Sequence, residues 1–268
     1  MSGFSADWLT LREPYDRRAR NPKVLDAVAA AFANLPSISI VDLACGTGST
    51  LRALAPRLSS RQNWKLVDND LGLLARAASA SYPNAKVTTA AIDLARDLEA
   101  ALDGAVDLVT TSALLDLVSD RWLERFITEA AARKLPIYAA LSYDGRITLE
   151  PPDQFDAPMI AAVNDHQRTD KGFGPALGPS AADQTISRLK SVGYSVVHGT
   201  ADWVFAPEDR EIQIGMLDGW AGAARELGQL PLAEIMAWLT RRRDAVAAGR
   251  ASSRVGHVDV FARPIGLR

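Results

Sequence analysis

The chain has 268 residues, 48% hydrophobic and 23% charged, an ordinary globular composition and long enough for one large domain with no disulfide or metal staple. Thirty basic against 32 acidic residues leave a net charge of −2, which gives no electrostatic reason to expect a nucleic-acid partner. Cys45 is the only cysteine, excluding an intrachain disulfide and a cysteine zinc cage. No run of about 18 apolar residues marks a membrane span, and Met1-Ser2-Gly3-Phe4 does not open a basic-then-apolar signal, so the expected setting is the cytoplasm.

Asn21-Pro22 reads as a helix cap with proline in the first turn, and Val24, Leu25, Val28, Phe32 and Leu35 follow at helical spacing. Residues 37–43 form a short β-branched run, ended by Ala44-Cys45-Gly46-Thr47-Gly48. Further strands are predicted at 64–67, 85–92, 106–111 and 136–143, alternating with helices at 71–81 and 122–133. This alternation predicts a parallel sheet covered on both faces. The rhythm then breaks: residues 150–180 are rich in proline and glycine and too long for an ordinary connection, and read as a substrate-shaping insertion or lid. A helix with Ile186, Leu189 and Val192 on one face precedes a strand at 194–205. Two helices at 209–227 and 231–248 follow, the second with Leu232, Ile235, Met236 and Leu239 on one face. Arg241, Arg242 and Arg243 near its end are expected to complement the helix dipole. An alternating strand, 256–262, closes a count of seven.

Val41-Asp42-Leu43-Ala44-Cys45-Gly46-Thr47-Gly48-Ser49-Thr50 is the most informative segment. Its glycines allow a tight turn and close approach to a ligand at the carboxyl edge of the sheet. Twenty residues after Gly48, Asp68 can accept hydrogen bonds from both hydroxyls of a ribose. The dinucleotide fingerprint needs a third glycine, and here that position is Leu51. An acid at Asp42 is awkward beside a pyrophosphate and suits a ligand bearing an ammonium group; it can also cap loop amides. Cys45 reads as a small buried residue, not a nucleophile.

The segment resembles motif I of the class I S-adenosylmethionine-dependent methyltransferases. Leu66-Val67-Asp68-Asn69-Asp70 is similar to their second motif, Ala91-Ile92-Asp93-Leu94 to the third, and Asp107 to Leu115 to the fourth. The resemblance spans about residues 15–145. It implies an α/β fold: a doubly wound, seven-stranded, mostly parallel sheet with helices on both faces, an antiparallel last strand, and an inserted lid and helical pair. Residues 1–36 become a helical lead-in, 37–143 the cofactor core, and 145–180 and 207–250 substrate-shaping insertions of one domain. The cofactor implied is S-adenosyl-L-methionine, held by Asp42, Ala44, Gly46, Thr47 and Gly48, with Asp68 and Asn69 at the ribose and Asp93 and Leu94 at the adenine. Ser112 and Ala113 would lie beside the methyl group. In the lead-in, Tyr15 over the cofactor and Arg20 at its carboxylate are the candidates, against a solvated helix face.

Methyl transfer from a sulfonium is an in-line displacement, so alignment can supply most of the acceleration and a base is needed only if the acceptor must lose a proton. The resemblance argues against base C5-methylation, which needs a cysteine in the fourth-motif region. It also argues against adenine or glutamine amino methylation, because no Asn/Asp-Pro-Pro-aromatic motif follows the fourth strand. A small-molecule acceptor remains, O- or N-methylated and compatible with an anion, taken by a monomer or homodimer. Tyr143, Asp144 and His166 are candidates for catalysis and Arg168 and Lys171 for substrate binding, each set against a plain polar loop. His198 and His257 read as structural. Phe155, Phe173, Trp203 and Trp220 can line a pocket or fill a core. A cofactor-binding scaffold without turnover is the competing function, and a nicotinamide oxidoreductase is disfavoured by the missing glycine.

Overall fold

The computed structural model describes residues 5–58, 61–79 and 83–266. The first four residues, and Ser81 at the expected end of the alanine-rich helix, lie outside them. Helix α1 (Ala6–Ala19) starts where the Ser5 hydroxyl accepts the Trp8 amide, and α2 (Pro22–Phe32) where Asn21 accepts those of Lys23 and Val24. Then come β1 (Ser37–Leu43), α3 (Ser49–Leu54), β2 (Arg61–Asp68), α4 (Leu71–Ala78), β3 (Ala85–Ala91), α5 (Leu98–Ala101), β4 (Leu108–Ser112) and α6 (Asp120–Ala132). The rest is β5 (Ile137–Glu150), α7 (Asp156–Gln167), α8 (Ala181–Ser191), β6 (Tyr194–Thr200), β7 (Trp203–Phe205), α9 (Arg210–Leu227), α10 (Leu232–Ala247) and β8 (Ser252–Pro264).

The sheet runs β3-β2-β1-β4-β5-β8-β6, with β7 paired to the far end of β8. Strands β1 to β5 are parallel, and β8 runs antiparallel between β5 and β6. The direction of winding reverses between β1 and β4, where a doubly wound sheet opens a crevice at its carboxyl edge. Strand β1 is covered on both faces, as a central parallel strand is. Ile38 and Ile40 pack with α2, α3 and β2 residues, while Val41 and Leu43 pack with those of α5 and α6.

Eight strands replace the expected seven because the run 194–205 is interrupted at Ala201 and Asp202. There the Asp202 carboxylate, not a strand carbonyl, meets the His257 amide at 3.3 Å, and pairing resumes in the same register at Trp203↔Val255. The proline-rich segment is also more regular than a lid. Strand β5 continues to Glu150 through two register shifts against β8, and α7 follows.

A third apolar core lies beyond the sheet, among α1, α7, α9, α10 and the extended ends of β5, β7 and β8. Ile235 and Leu239 of the predicted α10 stripe are buried in it together with Trp238, whereas Leu232 and Met236 are exposed, so the helix is rotated somewhat from that stripe. The arginine run accounts for the rotation. Arg242 is buried and paired with Asp156, Arg241 binds Asp153 at 2.6 Å, and Arg243 binds Asp218 at 2.6 Å. These three residues tie α10 to α7 and α9 and do not serve the helix dipole.

Candidate active site

The crevice at the carboxyl edge is a cleft of about 800 Å³. Its wall is the loop after β1, the ends of β2, β3 and β4, one face of α1 and a hairpin at residues 171–173. Ala44, Gly46, Thr47, Asp68, Asn69, Asp93, Leu94, Ser112, Ala113 and Lys171 all line it. Gly46 has φ +54°, and a Cβ there would meet Leu9 Cδ1 of α1 at 3.2 Å; Gly48 has φ +85° with Ala77 behind it at 3.4 Å. Both conformations disfavour a side chain, and the chain can therefore press its backbone close to the cleft.

Asp68 closes the loop. Its Oδ2 accepts the Gly46 amide at 2.9 Å and its Oδ1 the Asp70 amide at 3.0 Å. A carboxylate offers about four acceptor sites, so each oxygen keeps capacity for a hydroxyl of a ligand. Asp70 caps α4 through the amides of Gly72 and Leu73, and Asp93, half-exposed, accepts the Ala95 amide at 3.0 Å. Three acids thus stand at the ends of two neighbouring strands.

Asp42 and Arg20 lie behind this wall, not in it. Asp42 is fully buried on the same sheet face as Ile38; Thr110 Oγ1 donates to its Oδ1 at 2.7 Å, and Oδ2 has no partner. Burial pushes its carboxyl up to about 6, opposed by the Thr110 bond and the Arg20 charge. Arg20, 4% exposed, donates to Tyr138 Oη at 3.0 Å and reaches Thr50 and Ser112, both at the cleft, at 3.4 Å. The guanidinium thus supports the floor from below. Gly48 turns the chain behind the loop and is not part of the cleft surface.

Tyr15 also points away: its hydroxyl donates to Asp209 at 2.8 Å, and its ring packs edge-on against Phe205 in the third core. The α1 residues facing the cleft are Leu9, Arg12 and Asp16, a spacing of three and four that marks one helix face. Arg12 and Asp16 pair at 2.9 Å, both buried, with Trp203 donating to Asp16 at 3.0 Å and stacked under Arg12. Of the two residues expected from the lead-in, Arg20 continues this stripe, while Tyr15 lies on the neighbouring face, where Trp8, Leu11, Tyr15 and Ala19 pack into the third core. The Arg12/Asp16 ion-pair spacing was the available signal.

Phe173 packs edge-on against Trp122, whose indole donates to the Leu94 carbonyl at 2.7 Å, and Lys171 lines the cleft with it. His166 does not face the cleft; its ring lies between Glu226 and Lys171, at 2.8 and 3.2 Å. Tyr143 is buried and donates to Asn164 at 2.7 Å, Asp144 is paired with Arg146, and Arg168 binds Asn164 and Asp165 at the surface. None of these three reaches the cleft. His257 is buried against Trp203 and held neutral, its pKa pushed down to about 3 by burial. Asp116 was passed over, one residue after the fourth motif. It is buried with Oδ1 unpartnered, between Leu114 and Leu117 of the wall, and burial raises its pKa to about 6. Among the described residues no cluster of three or more ligating side chains fits a metal ion. Nor, among them, is any helix long and apolar enough to cross a membrane.

A glycine loop leaving the central strand at the reversal point, with acids at the ends of the next two strands, is the arrangement of a Rossmann-like fold. Residues 40–134 match the family described as a methyltransferase domain. The chain thus carries a methyltransferase domain, and S-adenosyl-L-methionine is the cofactor that such a domain takes. No curated protein matches the chain. Solved structures share its fold, these two among them. One is a cyclopropane-fatty-acyl-phospholipid synthase-like protein from Lactobacillus casei, at 15% identity and TM-score 0.54, with 97% of this chain and 94% of that one covered. The other is the cyclopropane synthase MmaA2 from Mycobacterium tuberculosis, at 11% identity and TM-score 0.51, covering 97% and 95%.

Proposed function

We propose that this enzyme methylates an oxygen or nitrogen of a small-molecule acceptor held at the Lys171–Phe173 end of the cleft. The observation that supports it is that this hairpin lines the same cleft as the glycine loop. A cleft of about 800 Å³ falls in the size range of small-molecule sites. The net charge of −2 offers no field for a polyanionic acceptor.

In this reading the bound cofactor supplies an electrophilic methyl group. Asp68, whose oxygens retain free acceptor sites, holds the ribose hydroxyls, and Asn69 flanks them. Asp93 and Leu94 meet the adenine edge, while Ala44, Gly46 and Thr47 bring backbone against the ligand. Ser112 and Ala113 stand beside the methyl group. Asp42 acts through the loop that it underlies, and Arg20 through Ser112 and Thr50. Phe173 excludes water from one side of the acceptor, and the Lys171 ammonium or amine suits an acidic hydroxyl or an anion.

The test is methyl transfer from donor labelled in its methyl group, with metabolite extract as the acceptor source. Label should appear in the fraction of small molecules and depend on Asp68. Label found only in nucleic acid or protein would overturn the proposal.

A further inference from the structure

Lys171, His166 and Glu226 come from a hairpin, the last turn of α7 and the last turns of α9, and join in one line from cleft to solvent. The hairpin is fixed independently of them. Asp170 Oδ1 accepts the amides of Gly172 and Gly174 at 2.7 and 3.0 Å, and Asp170 bridges to Pro175. Lys171 is thereby delivered to the cleft wall beside Phe173.

One hydrogen-bond polarity satisfies every group of the line. Glu226, as a carboxylate, only accepts, so His166 Nε2 carries the proton that bridges their 2.8 Å contact. In the neutral ring Nδ1 is then an acceptor, and Lys171 Nζ donates to it at 3.2 Å. Thr169 Oγ1 spends its own proton on the His166 carbonyl at 2.8 Å and so accepts a second N–H from Lys171 at 2.9 Å. A neutral amine has two N–H bonds, and both are engaged. Its lone pair is left at the remaining tetrahedral position.

We propose that Lys171 is the catalytic base that takes the acceptor's proton, with His166 and Glu226 as positioning residues that also lead the proton to solvent. The inference rests on the acceptor binding at the Lys171 end of the cleft. As the new bond from the acceptor oxygen or nitrogen to the methyl carbon forms, the carbon–sulfur bond breaks and sulfur keeps its pair. The acceptor's O–H or N–H bond breaks, and its proton joins the Lys171 lone pair. The ammonium so formed passes a proton to His166 Nδ1 while Nε2–H yields its own to Glu226, which is 75% exposed and exchanges with water.

Burial lowers the pKa of Lys171, and the one charge opposing this is that of Glu226. The Asp170 carboxylate is occupied by its two amides and His166 presents a lone pair.

The test reads the protein without any acceptor. With three histidines in the chain, the ring nitrogens of His166 can be assigned in a 15N spectrum by comparison with His166→Gln. The expected result is one Nε2–H tautomer in the wild type, lost to a mixture in Glu226→Gln. Competitive labelling with acetic anhydride, read by mass spectrometry across pH, should show Lys171 half-labelled at a lower pH than Lys23, Lys86, Lys134 and Lys190. In Glu226→Gln that pH should fall further. An Nδ1–H tautomer for His166, or Lys171 labelling together with the other lysines, would overturn the proposal. Calorimetry with S-adenosylhomocysteine on the same samples separates this outcome from failure of the cleft itself.

Discussion

At the donor end of the cleft the wall is backbone and strand-end carboxylate, supplied in chain order by β1, β2 and β3 and their following loops. At the proposed acceptor end it is side chain, brought from α1, the 171–173 hairpin and, one layer back, α7 and α9. The donor end stands on the sheet and its two flanking cores. Phe173 of the hairpin packs on one of these two through Trp122, while α1 and the helices behind the hairpin stand on the third core, whose polar anchor is Arg242 with Asp156 and Trp238. A ligand common to a family can be held by a fixed strand edge, while a separate core leaves the acceptor end free to differ. The two ends should therefore fail separately.

The largest effect is expected at the anchor of the third core. Arg242→Ala leaves Asp156 buried without its cation, which costs about 3–5 kcal/mol for a buried pair broken on one side. Urea denaturation should show that loss, while affinity for S-adenosylhomocysteine in the folded fraction stays near that of the wild type. A parallel loss of affinity would show that the two ends are one unit.

Asp68→Ala tests the donor end. Hydrogen bonds to a charged group contribute about 1.5–3 kcal/mol, so affinity for S-adenosylhomocysteine should fall about 10- to 100-fold by calorimetry. The change should leave the third core intact.

His257 offers a pH test of the third core alone. Its pKa is depressed to about 3 in the folded protein, against about 6.5 unfolded. A depressed group contributes stability that is present above pH 6.5 and lost as pH falls toward 3, at about 1.4 kcal/mol per pH unit. Asp42 and Asp116, raised to about 6, act oppositely, gaining stability as pH falls below 6. The difference between His257→Phe and wild type isolates the histidine: the variant should gain relative stability steadily between pH 6.5 and 4.5 in urea titrations. A difference independent of pH would show that the ring binds its proton equally in the folded and unfolded states.

The smallest effect belongs to Glu226→Gln. Glu226 is an exposed partner, and such pairs contribute about 0–1 kcal/mol. Melting temperature and affinity for S-adenosylhomocysteine should scarcely change. A large change in either would make Glu226 part of the scaffold and not of the Lys171 line.

These two ends were also unequally legible in the sequence. Asp68, Asp93 and Ser112 sit at strand ends, where a two-residue period and a following loop fix their place locally. The glycines of the loop carry their reason in their backbone angles. The face of α1 was not fixed locally, because both 8-11-15-19 and 9-12-16 are plausible stripes, and only Trp203, nearly 200 residues away, decides between them. The arginine run read as a dipole complement because its partners Asp153, Asp156 and Asp218 are distant in the chain. His166 and Lys171 were legible as polar residues close in sequence, but Glu226 was not, since it reaches them from another helix. Asp202, which splits one predicted strand into two, does so by taking an amide of β8.

The central claim is that the cofactor sits at the carboxyl edge between β1 and β4, held by Asp68 and the glycine loop. Isothermal titration of S-adenosylhomocysteine into wild type and Asp68→Ala tests it most directly. The account predicts saturable binding at one site per chain, weakened about 10- to 100-fold by the substitution. Absence of binding in the wild type, or equal affinity in both proteins, would contradict it.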